Sequence, residues 1–366
     1  MLISKLFVER DVCDSPIVMS IQAKLGMTGR IIDSMAPVFE TVAKGADPVE
    51  KGKHILVLRK NKGAFLRDCP GTRAYTCCGY KILHIGTFCT MDCSYCILQS
   101  YFHPPVLQFF VNHEALFKDL DGAFALNGIS RIGTGEFTDS LIWEKWTDLT
   151  TELVGRFSRQ NRAVLELKTK TVHVDALESL DHRSKTIVAW SLNAESILQS
   201  EERRTASLQS RIAAAEQCEA WGYPLAFHFD PIILYDGCDR EYQKVIEMLF
   251  NRISAKNIVW ISLGTFRFMP ALKQTIQQRF VKSKIVYGEF IPGLDGKMRY
   301  FKPLRIEMYK KMIAWIRAAA PDVRLYFCME DDEVWQKCMG MLPAEQGGLS
   351  EMLDRSAMRH CGLKAV

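Results

Sequence analysis

The stretch KILHIGTFCTMDCSYC, residues 81–96, decides how the rest of the chain is interpreted. It opens with an apolar run, KILHIGT (81–87), that predicts a buried strand. The following loop carries Cys89, Cys93 and Cys96 in the spacing C-x3-C-x2-C. A compact loop with three thiolates can wrap three corners of a 4Fe–4S cube and leave the fourth iron open to a cofactor or substrate. The sequence therefore predicts an iron–sulfur site directly after a strand.

This strand is the first of six that alternate with amphipathic, helical stretches such as 113–126 and 207–222. The predicted strands span residues 81–87, 130–136, 163–170, 186–193, 224–232 and 257–264. Six strand–helix units in series imply a parallel sheet, arranged as an open barrel or as a doubly wound sheet. In both arrangements the chemistry lies at the carboxyl ends of the strands. The cysteine loop follows a strand, where a site is expected.

The same pattern divides the chain into three regions. Residues 1–80 precede the first unit and form an N-terminal cap, and residues 81–284 contain the six units. Residues 285–366 form a C-terminal α+β extension that opens with a turn-rich, basic hairpin segment at 288–305.

Composition indicates a globular protein. Of the 366 residues, 48% are hydrophobic and 24% are charged, which suits a packed core rather than a disordered chain. We find no apolar run of the roughly 18 residues that a membrane span needs, and no signal-peptide pattern at the N-terminus. We therefore expect a cytoplasmic protein. The net charge of +5 permits nucleic-acid binding without requiring it.

Six of the twelve cysteines lie within residues 69–96. A reducing cytoplasm and a chain of this length argue against a disulfide framework, so clustered cysteines indicate metal or redox chemistry. One alternative is a structural zinc site. Zinc sites usually show paired C-x2-C knuckles, and the sequence has no second knuckle.

The three cysteines, with the aromatic Tyr95 just before the last of them, resemble the signature of the radical S-adenosylmethionine superfamily. The resemblance implies a partial (β/α)6 TIM-like barrel and a 4Fe–4S cluster held by Cys89, Cys93 and Cys96. It also implies S-adenosylmethionine on the open iron and a 5′-deoxyadenosyl radical that abstracts hydrogen. Such chemistry needs an electron donor, such as flavodoxin or ferredoxin.

Further segments resemble the spore photoproduct lyase family, whose members repair a thymine lesion in DNA. They are LFVERDVCDSPIVMSI (6–21), LKTKTVHVDAL (167–177), WSLNAE (190–195), TASLQSRIAA (205–214) and GYPLAF (222–227). By position, the family's cofactor contacts fall on Lys170, Ser191 and Asn193. Glu136, in GTGE, stands where many radical enzymes bind the methionine amino group. The alternative is that these four are ordinary strand-end charges and turn formers.

Two positions depart from the family. Glu136 stands where the lyases carry the cysteine that returns hydrogen to the product radical, and Ile97 replaces one of two tyrosines, of which Tyr95 is kept. The sequence offers Cys77 and Cys78 as other hydrogen donors, because they lie shortly before the cluster loop. The alternatives are that these two cysteines bind a second metal or pack as small apolar residues.

A basic, aromatic segment, GLDGKMRYFKPLR (293–305), resembles in character the hairpin with which the family grips DNA. Its candidate contacts are Lys297, Arg299, Tyr300, Phe301, Lys302 and Arg305. The resemblance thus implies DNA as a partner. Two rival hypotheses remain open: a radical enzyme that acts on a peptide or small molecule, and an iron–sulfur redox protein without turnover.

Overall fold

The N-terminal region contributes most of a small sheet and three helices. The structure, a computed structural model, describes residues 3–72 and 74–364. The first elements are β1 (Lys5–Glu9), α1 (Pro16–Leu25), β2 (Arg30–Ile32), α2 (Ala36–Ala43), α3 (Pro48–Gly52), β3 (Ile55–Arg59) and β4 (Leu66–Asp68). β1 pairs in parallel with β2 and β3. The apolar sequence of β3, ILVLR, is typical of a strand covered on both faces.

The middle of the chain alternates strands with helices. Its elements are β5 (Lys81–Leu83), β6 (Gly86–Thr87), β7 (Asp92–Cys93), α4 (Leu98–Tyr101), β8 (Leu107–Phe110), α5 (His113–Ala125), β9 (Ser130–Gly133), α6 (Leu149–Phe157), β10 (Ala163–Thr169), β11 (Thr186–Ser191), α7 (Glu195–Glu201), β12 (Glu202–Arg203), α8 (Leu208–Ala220), β13 (Leu225–Ile232), α9 (Cys238–Phe250) and β14 (Ile258–Thr265). The predicted helices correspond to α5 and α8. Ser207 caps α8 by accepting the Ser210 N–H, and Gly222, with φ +86°, lies just beyond its end.

The chain from residue 267 onward begins with a small antiparallel sheet, whose last two strands lie in the C-terminal extension. Its elements are β15 (Arg267–Phe268), α10 (Pro270–Arg279), β16 (Phe290–Pro292), β17 (Met298–Tyr300), α11 (Lys302–Ala319), β18 (Leu325–Phe327), α12 (Asp332–Met339) and α13 (Leu349–Cys361). The predicted hairpin segment is β16 and β17 followed by the start of α11, and β15 pairs with β17.

Eight strands form the central sheet, in the order β18-β14-β13-β11-β10-β9-β5-β4. All neighbours are parallel except β4, which is antiparallel to β5 at the edge. The six predicted strands are adjacent in this sheet, and β18 adds a seventh parallel strand from the C-terminal region. β11 and β14 are buried along their whole length. The carboxyl ends of the parallel strands meet at one edge of the sheet.

The predicted first strand is shorter than the sequence suggests. It ends at Leu83, because β6 leaves the central sheet and pairs with β8, which extends the N-terminal sheet. This step carries the chain directly into the cysteine loop. None of the helices in the described part of the chain is long and apolar enough to span a membrane.

Candidate active site

The predicted cluster loop follows β6 and is fixed on one side by a short strand pair. β7 is antiparallel to β12, with Cys93 opposite Glu202. The Ser94 N–H donates to the carbonyl of Glu201 at 2.9 Å, and the Cys96 N–H donates to that of Cys93 at 3.1 Å. These backbone hydrogen bonds fix the loop without using the cysteine side chains.

All three cysteines line one cavity of about 350 Å³ at the carboxyl ends of the strands. The cavity wall also includes the predicted site residues Tyr95, Glu136, Lys170 and Ser191. Glu136 follows β9, Lys170 follows β10 and Ser191 ends β11. Four neighbouring parts of the fold thus bring the predicted cluster and cofactor residues to one hollow.

The donor set fits an iron–sulfur cluster better than a single ion. Within residues 3–72 and 74–364, no three His, Cys, Asp or Glu side chains are grouped to hold one metal ion. In a 4Fe–4S cluster each cysteine binds a different iron, so the sulfurs surround a space rather than meet at a point. Burial raises the pKa of Cys93 to about 12. A thiolate there needs a compensating positive charge, which iron would supply.

Lys53, from the N-terminal region, holds the cysteine loop in place. Its side chain is only 5% exposed and pairs with Asp92 at 3.5 Å. Its Nζ donates to the carbonyl of Cys89 at 3.3 Å and to that of Met91. Sequence reasoning missed this residue because it belongs to a basic run, and such runs are usually solvated.

We expect Lys53→Met to make the cluster labile. Methionine preserves the apolar packing but leaves two carbonyls and Asp92 without this donor, and each lost charged hydrogen bond costs about 1.5–3 kcal/mol. The rate of iron loss to a chelator under anaerobic conditions should rise at least about tenfold. Lys44→Met, at an exposed position of the same region, is the control. Equal rates in the two variants would contradict the role.

A buried charge network lies beside Cys93. The Glu202 carboxylate binds Lys170 Nζ at 3.0 Å and Arg211 Nη2 at 2.6 Å, and it accepts the Tyr95 hydroxyl. Burial opposes ionisation, yet Lys170 and Arg211 lower the pKa of Glu202 to about 2. Burial alone would lower the pKa of Lys170, but the negative charges of Glu202 and Cys93 together raise it. Lys170 therefore faces the cavity as a cation that is already paired.

Asp139, which sequence reasoning did not single out, organises another part of the cavity wall. Its carboxylate accepts hydrogen bonds from the N–H groups of Lys170 and Leu141 at 2.8 and 3.0 Å and from the Thr169 hydroxyl at 2.8 Å. Burial raises its pKa. Beside it, a Cβ on Gly135 would lie 2.9 Å from that of Lys168, so a glycine is needed for this close approach. The GTGE segment thus brings backbone to the cavity surface.

Three predicted site residues lie elsewhere. Asn193 is buried away from the cavity wall. Its Nδ2 donates to the Pro231 carbonyl at 3.0 Å and its Oδ1 accepts the Tyr242 hydroxyl at 2.6 Å. Cys77 and Cys78 line a second, adjoining cavity rather than the first. The polar groups of the Asn193 side chain are already used to hold β13 and α9 in place.

The basic hairpin does not present the free cations expected of a DNA-binding surface. Arg299 is 3% exposed and pairs with Asp295 at 2.7 Å, and the buried Arg305 pairs with Glu330. Lys297 and Lys302 also form ion pairs. The sequence shows the basic residues but not their pairing with Asp295 of the same segment or with three acidic residues that follow β18, namely Glu330, Asp331 and Glu333.

A partial parallel barrel whose first strand leads into a C-x3-C-x2-C loop at the strand ends defines the radical S-adenosylmethionine class of proteins. Within that class, the chain belongs to the spore photoproduct lyase family. The family model, spore photoproduct lyase, matches residues 74–302. The predicted resemblance is confirmed.

Curated relatives carry the same description at low identity. Spore photoproduct lyase of Bacillus subtilis is 26% identical over 56% of this chain and 61% of that protein. Its Clostridium acetobutylicum counterpart is 22% identical over 77% of this chain and 79% of that protein. The matched segment thus covers less than two thirds of the length of the Bacillus protein and more than two thirds of the length of the Clostridium protein.

Solved structures confirm the predicted fold class. A spore photoproduct lyase complexed with dinucleoside spore photoproduct has a TM-score of 0.79 and 21% identity, covering 89% of this chain and 99% of that one. A mutant of such a lyase, with bound AdoMet and the same dinucleoside, also has a TM-score of 0.79, at 20% identity. At these identities the likeness establishes the half-barrel architecture.

Proposed function

We propose that this protein is a radical S-adenosylmethionine enzyme that acts on a DNA lesion related to spore photoproduct. The observation that carries the proposal is that Cys89, Cys93 and Cys96 line one strand-end cavity in a member of the spore photoproduct lyase family. A 4Fe–4S cluster with S-adenosylmethionine on its open iron supplies reductive radical chemistry that abstracts hydrogen atoms. A flavodoxin or ferredoxin would deliver the electron in the cytoplasm.

The chain's own residues would bind and orient the cofactor. Glu136 offers a carboxylate to an amino group, and Ser191 offers a hydroxyl to a carboxylate or ribose. Lys170 adds positive charge at the wall, while its geometry is fixed by Glu202. Tyr95 links the loop to that carboxylate and thereby positions Lys170. Asn193 supports the wall through Pro231 rather than facing the cavity.

The second cavity extends the first and offers space for a substrate. Its volume is about 520 Å³, and Glu136, Lys168, Asp230 and Arg267 line both cavities. A base extruded from a nucleic acid needs such a pocket beside the reacting group. A hydrogen-donating role for Cys77 or Cys78, which line this cavity, stays a prediction.

A different substrate, a peptide or a small molecule, is the second candidate. Two points favour it: by sequence position we predict Glu136 where the lyases carry their cysteine, and the hairpin cations are paired within the protein. This candidate retains the cluster and the cofactor and changes only what occupies the second cavity.

Anaerobic turnover tests the proposal. Reduced, reconstituted protein with S-adenosylmethionine should release 5′-deoxyadenosine, which an electron-transfer protein would not do. Addition of ultraviolet-irradiated DNA or a spore-photoproduct dinucleotide should yield repaired thymines. Release of 5′-deoxyadenosine without repair of either substrate would reject the lesion and favour the second candidate. No release at all would reject enzymatic function altogether.

A further inference from the structure

Four cysteines from two distant parts of the chain meet at the second cavity. Cys69, Cys77 and Cys78 lie on the loop between β4 and β5, and Cys328 directly follows β18. All four line the same space. The sequence offered no reason to connect Cys328 with the others, because about 250 residues separate it from Cys78.

We propose that Cys69, Cys77, Cys78 and Cys328 form the ligand set of a second iron–sulfur cluster. This centre is distinct from the one at the C-x3-C-x2-C loop. It would occupy part of the second cavity and would leave Cys77 and Cys78 without a hydrogen to donate, but the inference does not depend on turnover.

The cysteine-bearing loop is held at a defined position beside the last strand. The Thr76 N–H donates to the carbonyl of Glu330, just beyond β18, at 3.1 Å. The Arg299 guanidinium lies over the Tyr75 ring, with its Cζ atom 4.0 Å from the ring centroid. The Cys69 N–H donates to the Tyr80 carbonyl at 2.9 Å. The loop therefore joins the first strand of the barrel to β18, the last, across its open side.

Arg131 fixes the backbone of the Cys77-Cys78 pair. Its guanidinium donates to the carbonyl of Cys78 and to the Ser350 hydroxyl at 2.9 Å. It also pairs with Asp354 at 2.7 Å, and its side chain is only 3% exposed. A buried arginine with three partners makes this backbone rigid, which preorganises the neighbouring thiols as ligands.

Two of the four sulfur atoms accept hydrogen bonds from donors of the kind that stabilise thiolates. The Gly79 N–H donates to Cys77 Sγ at 3.5 Å, and Arg267 Nη2 donates to Cys328 Sγ at 3.3 Å. Lys168 lines the same cavity. N–H groups and cations around the sulfurs are the usual environment of a cluster, whose net charge is negative.

These cysteines differ from those that fill the core. Cys218 and Cys361 are completely buried among apolar side chains, as structural cysteines usually are. By contrast, Cys77 is exposed, and Cys69, Cys78 and Cys328 are partly exposed. Cys78 also packs against the core, but packing does not account for the other three thiols around a hollow that also contains charged groups.

A cluster fits this arrangement better than one ion. Neighbours such as Cys77 and Cys78 rarely ligate one tetrahedral metal. In a cluster each thiolate, having lost its proton, binds its own iron. The adjacent residues Cys77 and Cys78 would then bind two different irons of the same cluster.

Iron and sulfide analysis of anaerobically reconstituted protein tests the inference. We expect about eight irons and eight sulfides per parent chain, the content of two 4Fe–4S clusters. The variant with Cys89→Ala, Cys93→Ala and Cys96→Ala should keep about four irons and an iron–sulfur absorption spectrum. The variant with Cys69→Ser, Cys78→Ser and Cys328→Ser should also keep about four, now at the other loop.

Several outcomes would overturn it. One such outcome is about four irons in the parent and none in the variant that lacks Cys89, Cys93 and Cys96. The other cysteines would then be hydrogen donors or packing residues. The parent's iron count does not depend on whether the variants fold. One zinc per chain, lost with the Cys69, Cys78 and Cys328 variant, would replace the cluster by a single ion. Cys13→Ala, whose thiol lines neither cavity, is the control and should keep the parent's count. Eight irons without cleavage of S-adenosylmethionine would reject the proposed function and support this inference.

Discussion

Cys93→Ala should abolish release of 5′-deoxyadenosine and remove about four irons per chain, one cube's worth. Cys93 lies on β7, is 8% exposed and faces the cavity that Cys89 and Cys96 also line. Loss of its thiolate leaves a second iron without a protein ligand in a site that has only three such ligands. The measurements are iron content after anaerobic reconstitution and chromatography of the nucleoside product.

Cys13→Ala is the matched control. Its thiol lies in the N-terminal region, on the residue after the 3-10 turn at Arg10–Val12, so iron content and product release should equal those of the parent. If Cys93→Ala kept the parent's iron and still released the nucleoside, the cluster would not be bound by this loop, and the function proposed from it would fall.

Local patterns in the sequence were sufficient to predict the strands of the central sheet and the position of the cysteine loop at their carboxyl ends; that this loop binds a cluster stays a prediction. The six strands are apolar runs separated by helical stretches, and a run of this kind gives the same signal wherever its partners are. The cysteine loop is also local, because its three ligands lie within eight residues. Both predictions depended on spacing between near neighbours, which a single sequence displays directly.

The residues that support the site could not be predicted this way, because their partners are distant. Lys53 contacts a loop about 36 residues away, and Lys170 is paired with Glu202. Cys328 reaches the β4–β5 loop only because β18 joins the far edge of the sheet. Nothing in the neighbourhood of any of these residues indicates its partner.

The hairpin shows the reverse case, in which a local pattern suggested too much. Its basic residues are characteristic of a phosphate-binding surface, but Arg299 and Arg305 are buried against Asp295 and Glu330. A buried guanidinium needs a charged partner, and these carboxylates provide it. These two arginines are therefore not free to bind phosphate, and contact between the hairpin and DNA stays a prediction.

Glu202→Gln should destabilise the fold more than other single charge changes at the site. The Glu202 carboxylate is 1% exposed and pairs with Arg211, which is 0% exposed, and with Lys170, which is 15% exposed. Glutamine keeps the size but removes the charge that balances two buried cations, and breaking a buried pair costs about 3–5 kcal/mol. Urea unfolding of parent and variant under anaerobic conditions measures the loss.

Two further variants distinguish the contribution of the Glu202 charge network to stability from that of simple packing. Glu307→Gln removes a carboxylate that is 65% exposed and pairs with Lys311, and it should change the unfolding free energy by less than about 1 kcal/mol. Adding Lys170→Met to Glu202→Gln removes one of the two unbalanced cations, so the double variant should be more stable than the sum of the single losses predicts. Strictly additive losses would mean that Lys170 and Glu202 do not act as a pair. In that case the cation at the cavity wall would be fixed by something other than Glu202, and its proposed role toward the cofactor would lose its structural basis.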